Sequence, residues 1–451
     1  MQRFINQSFI DRYGSPLKSS TLDMMWSFLN VCFPIAMIFG QFLAAIMCKR
    51  IGRKGTALVA CAVYIPATLL SAGAKLCHSF ELLSLANGVN SVNATVWIVE
   101  CAPAKIRGRM AAMQEFFMAA GALVTQALGV PFSDDALWSW IFLPNIAFVV
   151  ASLIMFLFLY ESPQYLMQKG HAEKARKALA SYHGVTVEDS SLDSELRICE
   201  EALKKKNGKE KAKSGSIQTE HDSLTILFMP WKARDPVSQV VRHGAWLGVM
   251  VKIAYVFTGA RCLRSYSTFV LHSMAGWSLN AALLESLIIG IVRLPTTLIP
   301  VFLVDRIGRR PMLIGSTGVC FASLLIMLAG IDIGPDWKIA TLIGLSTLLL
   351  ISACGIGSLS RFYSAELVPR NILLSSVSIL TMFEALTKIG VEFAFYPLAN
   401  VIHGQSLFLF LAPTGVFMVM MWMCPETSKR SVNEVLNDMA QRKNLDVIFP
   451  T

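Results

Sequence analysis

Charged side chains stand inside long apolar stretches of this sequence, and their spacing is that of helix faces. Glu384, Lys388 and Glu392 step by four residues, which places them in one stripe along a helix. Arg261 and Arg264 are three apart and share a face in the same way. Arg293 sits deep in another apolar run. One such charge at the centre of a bilayer costs about 2.5–3.5 kcal/mol on insertion scales, so these residues are expected to face a cavity or a partner. Two chemistries are open to them. The guanidinium groups of Arg261, Arg264 and Arg293 can line a cavity and bind an anion through paired N–H donors. Alternatively they pair internally with Glu384 and Glu392 and meet no solute. Arg361, five residues before Glu366, reads as an anchor reaching back to the membrane surface.

Other chemistries find no support. No nucleophile stands with a base, and there is no phosphate loop or ATP-binding domain, so neither an enzyme nor an ATP-driven pump is expected. His243, His272 and His403 lack metal-ligand spacing, and the ten Cys form no CxxC pair. No metal and no cofactor are expected.

The elements that must position the charges are membrane helices. Only 16% of the 451 residues are charged, against about 25% in soluble domains, and mean hydropathy is +0.53. Apolar spans lie near 22–48, 55–76, 80–101, 110–131 and 137–160, then near 243–271, 279–303, 311–331, 339–365, 372–399 and 405–424. That makes about 11 transmembrane helices of about 20 residues or more. Lys and Arg fall in alternate loops, among them Lys49 to Lys54, Lys105 to Arg109 and Arg306 to Arg310. The positive-inside bias therefore puts residues 1–21 outside and the C-terminus in the cytoplasm. The expected organisation is an extracellular segment (1–21), a five-span bundle (22–160), a cytoplasmic helical linker (161–241), a six-span bundle (242–424) and a cytoplasmic tail (425–451). The net charge of +10 is then loop charge beside the lipid bilayer, with no nucleic-acid partner. Asn6-Gln7-Ser8 is a glycosylation sequon on the expected outer side.

Short motifs occur twice. Ile51-Gly52-Arg53-Lys54 recurs as Ile307-Gly308-Arg309-Arg310, an offset of 256; Glu100 recurs as Glu366, an offset of 266; Glu161-Ser162-Pro163 recurs around Glu426, an offset of 265. Near-equal offsets imply two homologous halves. Repeats of this kind in transporters enclose a solute site near the midplane.

With Gly121 through Gln126 and Gly129, and Pro425-Glu426-Thr427, these motifs resemble the facilitative glucose transporter branch of the sugar porters, in the major facilitator superfamily. The resemblance covers essentially the whole chain. It implies an all-α plasma-membrane protein of two pseudo-symmetric helix bundles, which carries a small-molecule solute, a hexose-type sugar in the parent family, by alternating access. It also implies that the family's first helix is not in this sequence, because residues 4–26 resemble the outer loop that follows it. Arg53, Glu100, Arg107 and Glu161, with Arg309, Glu366 and Glu426, correspond to the family's cytoplasmic gate. That gate is thinned where Leu373 and Gln164 replace expected Arg residues. In the solute site Gln126 matches the family's sugar-contacting Gln. The other positions depart: Tyr255-Val256 stands for a Gln pair, Arg261 and Arg293 for Asn, Arg361 for Trp, and Glu384-Ala385 for Asn-Trp. Three readings stay open: a sugar carrier, an organic-anion or other small-solute carrier of the same fold, and a non-transporting sensor or decayed copy.

Overall fold

The computed structural model describes residues 2–73, 107–131, 138–189, 192–193, 196, 223–367, 373–428, 430, 432–443 and 445. The expected span near 80–101 and the Lys-rich stretch 204–213 lie outside them. All regular elements among the described residues are helical. Seven of these helical stretches are long and apolar enough to cross a membrane, from Arg50–Gly73 to Thr381–Met423.

The chain divides into two compact units, residues 1–118 with 131–214, and residues 119–130 with 215–451. In the first, α1 (Gln2–Tyr13) leads into α2 (Ser19–Gly73), a long helix broken at Gly52. Then come the opening residues of α3 (Arg107–Gly129) and α4 (Leu143–Phe158), which packs on α2. No residue of the apolar α4 is buried, and Phe158 is 82% exposed. An apolar surface of this kind suits contact with lipid. Beyond it α5 (Pro163–Gln168) and α6 (Ala172–His183) open the expected linker. One face of α6 buries Ala175, Ala178 and Leu179, and Gly184 ends it in a left-handed turn whose N–H returns to the Ala180 carbonyl.

The second unit holds the end of α3, α7 (Ser223–Phe228), α8 (Pro236–Phe257), α9 (Ala260–Ser265), α10 (Leu279–Thr296) and α11 (Ile299–Ile307). There follow α12 (Arg309–Ile333), α13 (Lys338–Cys354), α14 (Ile356–Glu366), α15 (Leu373–Ile402), α16 (Phe408–Met420) and α17 (Val432–Arg442). Asp235 caps α8 by accepting the Ser238 N–H, with Pro236 in the first turn where its missing N–H costs nothing. The core joins Val251 of α8 and Leu313 of α12 to Ile356 and Tyr363 of α14. The amphipathic α17 closes it with Val435, Leu436 and Met439.

Candidate solute-binding site

The charged stripe seen in the sequence is buried on α15, where Glu384, Lys388 and Glu392 are 6–7% exposed. Lys252 of α8 is buried against it at 4%. Glu384 accepts from Lys252 Nζ at 2.9 Å and from Lys388 Nζ at 2.5 Å, so one carboxylate serves two ammonium groups. Glu392 accepts from Arg261 Nε of α9 at 3.0 Å. Internal pairing is therefore real but selective: Glu384 holds lysines and no arginine, and Glu392 takes one of the three Arg residues. Arg264 and Arg293 make no salt bridge or hydrogen bond among the described residues, and the charges of Arg293, Arg261 and Glu392 all stand near Arg264. Tyr255 stands near both Arg264 and Arg293, and its ring lies 5.9 Å from Lys388 Nζ.

Two helix breaks bring these side chains together. Gly259 has φ +73 and separates α8 from α9 between Tyr255 and Arg261. A Cβ there would meet the Phe410 ring at 2.7 Å, so only glycine allows both the left-handed turn and the close approach. The break frees the Phe257 carbonyl, which accepts from Thr414 Oγ1 at 2.9 Å. The second break, at Gly355 between α13 and α14, sets its backbone against Ser316, whose Oγ accepts the Ile356 N–H at 3.0 Å. Interrupted helices whose freed groups are satisfied by neighbours are how transporters shape a site at mid-membrane.

Gln126 lies near the end of α3, in the second unit, half-buried. Its Oε1 would stand 3.1 Å from a Cβ at Gly290 of α10, one turn before Arg293. Beyond the Arg261–Glu392 pair, Tyr266 stacks on Tyr396 with ring centroids 5.5 Å apart and also contacts Phe395. Rings packed there exclude water and strengthen the electrostatics beside them.

The duplicated motifs form duplicated geometry. Gly52 (φ +84) and Gly308 (φ +97) each immediately precede a helical run. At the first, Glu161 Oε1 accepts the backbone N–H groups of Arg53 at 2.8 Å and Lys54 at 3.0 Å. At the second, Glu426 accepts those of Arg309 at 2.8 Å and Arg310 at 3.0 Å. A carboxylate so placed satisfies orphan donors and meets the positive end of the helix dipole. A Cβ on Gly52 would overlap the Glu161 carboxylate, and one on Gly308 would come within 3.0 Å of that of Glu426. The second station gathers its expected residues: Arg309 Nη2 lies 3.3 Å from Glu366 Oε1, and Thr427 Oγ1 donates to Glu366 Oε2 at 2.5 Å. In the first, Glu100 and the side chains of Arg107 and Gln164 lie outside the described residues, as do those of Arg361 and Leu373 in the other half.

The sequence reading missed Lys252, although a lysine inside an apolar run carried the same signal as Arg261. It also missed the role of Glu161 and Glu426 as acceptors of backbone N–H groups. Asn6 sits in α1, its Oδ1 accepting the Leu17 N–H at 3.0 Å, with Ser8 of the sequon buried. Among the described residues no His, Cys, Asp and Glu cluster could hold a metal ion.

Repeated capped stations and apolar helices around buried charges define a multi-pass membrane protein of two related halves. A family model described as "Sugar (and other) transporter" matches residues 1–438, and the chain belongs to that family. It is 24% identical over 454 residues to facilitated glucose transporter protein 1 of Caenorhabditis elegans, covering 96% of this chain and 84% of that relative. The inward open xylose transporter XylE from E. coli superposes with a TM-score of 0.71 at 18% identity, covering 97% of this chain and 95% of that one. The proton:xylose symporter XylE bound to 6-bromo-6-deoxy-D-glucose gives 0.70 at 20% identity, with 97% and 94% covered. The fold is that of the major facilitator superfamily.

Proposed function

We propose that this protein carries a small solute of the sugar class across the plasma membrane by alternating access. The observation that supports this reading best is the polar cluster at mid-helix, set by the breaks at Gly259 and Gly355, in a chain of the transporter family. No covalent chemistry is needed: the solute binds by hydrogen bonds and leaves unchanged. Gln126 is a natural hydroxyl partner because an amide both donates and accepts. Arg53, Glu161, Arg309, Glu366 and Glu426, with Glu100 and Arg107, act in this reading as the cytoplasmic gate. Their bonds are charge-assisted but partly solvated, hence strong enough to hold and weak enough to break in each cycle. The tail lies in the cytoplasm and residues 1–21 outside, as the loop charges favour.

The test is uptake into liposomes holding the purified full-length protein, with labelled hexose, pentose and hexuronate. Saturable uptake above empty liposomes is expected for at least one. Gln126→Ala should raise its KM about tenfold, the worth of one hydrogen bond near 1.4 kcal/mol. Folded protein that moves none of the three would refute the carrier reading in favour of a non-transporting membrane protein.

A further inference from the structure

We propose that the cluster around Arg264 and Arg293 selects a sugar acid, a polyhydroxylated solute bearing a carboxylate, over a neutral sugar; this deepens the carrier reading and rests on it. Five cationic side chains, Lys252, Arg261, Arg264, Arg293 and Lys388, share this part of the second unit with two carboxylates. Both carboxylates are already engaged, Glu384 by two lysines and Glu392 by Arg261. The two remaining arginines make no salt bridge or hydrogen bond among the described residues. The Glu392 carboxylate, already bonded to Arg261, also stands near enough to act on Arg264, whereas no carboxylate among the described residues acts on Arg293. Nearby guanidinium groups in an apolar surrounding repel each other, and an incoming anion relieves that repulsion.

The geometry of the groups narrows the anion. A guanidinium is a planar fork that matches two oxygens of one carboxylate, and its attraction is stronger here than in water. The hydroxyl-reading group stands beside it: Gln126 packs against Gly290, one helical turn from Arg293, and Tyr255 stands near both arginines. An inorganic anion would use the arginines and leave the amide idle. A neutral sugar would use the amide and leave two cations uncompensated. A sugar acid uses both.

Uptake of labelled D-glucuronate and D-glucose at equal concentration, by the full-length protein in liposomes, tests this. Glucuronate uptake should exceed that of glucose at least about fivefold, as a charge-assisted contact outweighs a neutral one. The double variant Arg264→Gln, Arg293→Gln should lower the glucuronate-to-glucose ratio about tenfold, and the Lys, Lys variant, which keeps charge but loses the fork, should lower it less. Should the Gln variant fail to fold, melting of the unaltered protein decides: glucuronate must raise the melting temperature more than glucose does, and equal or smaller protection overturns the proposal. Glucose carried while glucuronate is neither carried nor competes overturns it and leaves the carrier reading standing. Sulfate competing as strongly as glucuronate also overturns it, because the hydroxyls would then contribute nothing. Protein that is folded but moves neither sugar nor sugar acid removes both readings.

Discussion

Glu384→Gln is the most informative single substitution. Glu384 is 7% exposed and its carboxylate pairs with both Lys252 and Lys388, which are 4% and 6% exposed. Replacing it by an amide of the same shape leaves two desolvated ammonium groups facing one neutral carbonyl. Breaking a buried pair by removing one partner costs about 3–5 kcal/mol. With about 2–4 °C of melting temperature per kcal/mol for a unit of this size, the expected drop is about 6–20 °C. Fluorescence melting of the purified protein in detergent measures it. A fall under about 2 °C would refute the reasoning, because the lysines would then not be desolvated. The matching control replaces Lys252, Glu384 and Lys388 together by Met. An uncharged core of similar volume is often no less stable than a buried ion triad, so at least half the loss should return. A triple variant as unstable as Glu384→Gln would assign the cost to packing and not to charge.

Further outcomes follow from single contacts. Gly259→Ala should lose about 1–3 kcal/mol from its left-handed backbone alone; Phe410→Ala removes the ring that the new Cβ would strike but is itself costly at a fully buried site, so in melting the double variant should lose less than the sum of the two single losses. Glu161→Ala and Glu426→Ala each strip the acceptor from two helix-terminal N–H groups, and each should cost about 1–2 kcal/mol in denaturant unfolding. The two values should agree within about 1 kcal/mol, and a larger gap would end the structural equivalence of the two stations. Gly52→Ala should cost more than Gly308→Ala, because its Cβ meets the carboxylate more closely; the reverse order in melting would refute that account.

Much of this arrangement is legible in the residues because it rests on period and composition. The i, i+4 stripe of Glu384, Lys388 and Glu392 is a property of one helix, and the duplicated Gly-Arg motifs are properties of the chain. What one sequence lacks is the register between helices. Nothing in the spacing says that Lys252 and not Arg261 meets Glu384, because that depends on how far α8 slides along α15 before Gly259 interrupts it. The same holds for Gln126, whose neighbour Gly290 is 164 positions away. The stations were legible as residues but not as chemistry. Glu161 and Arg53 suggest a side-chain pair, whereas the carboxylate takes backbone N–H groups, which every residue has and no composition reveals.

The stations and the cluster differ in what each requires of the chain around it. A helix that starts after a left-handed glycine always exposes N–H donors, and a carboxylate from the end of the same half satisfies them whatever surrounds it. That requirement is local to each half, and Gly52 with Glu161 and Gly308 with Glu426 meet it in the same way. The buried charges obey no such symmetry: Lys252, Glu384, Lys388 and Glu392, the buried charged residues among those described, all belong to the second half. The second half thus carries a charged set, with Glu384 held by two lysines, Glu392 by Arg261, and Arg264 and Arg293 outside any salt bridge among the described residues, while the stations at both Gly turns keep one form.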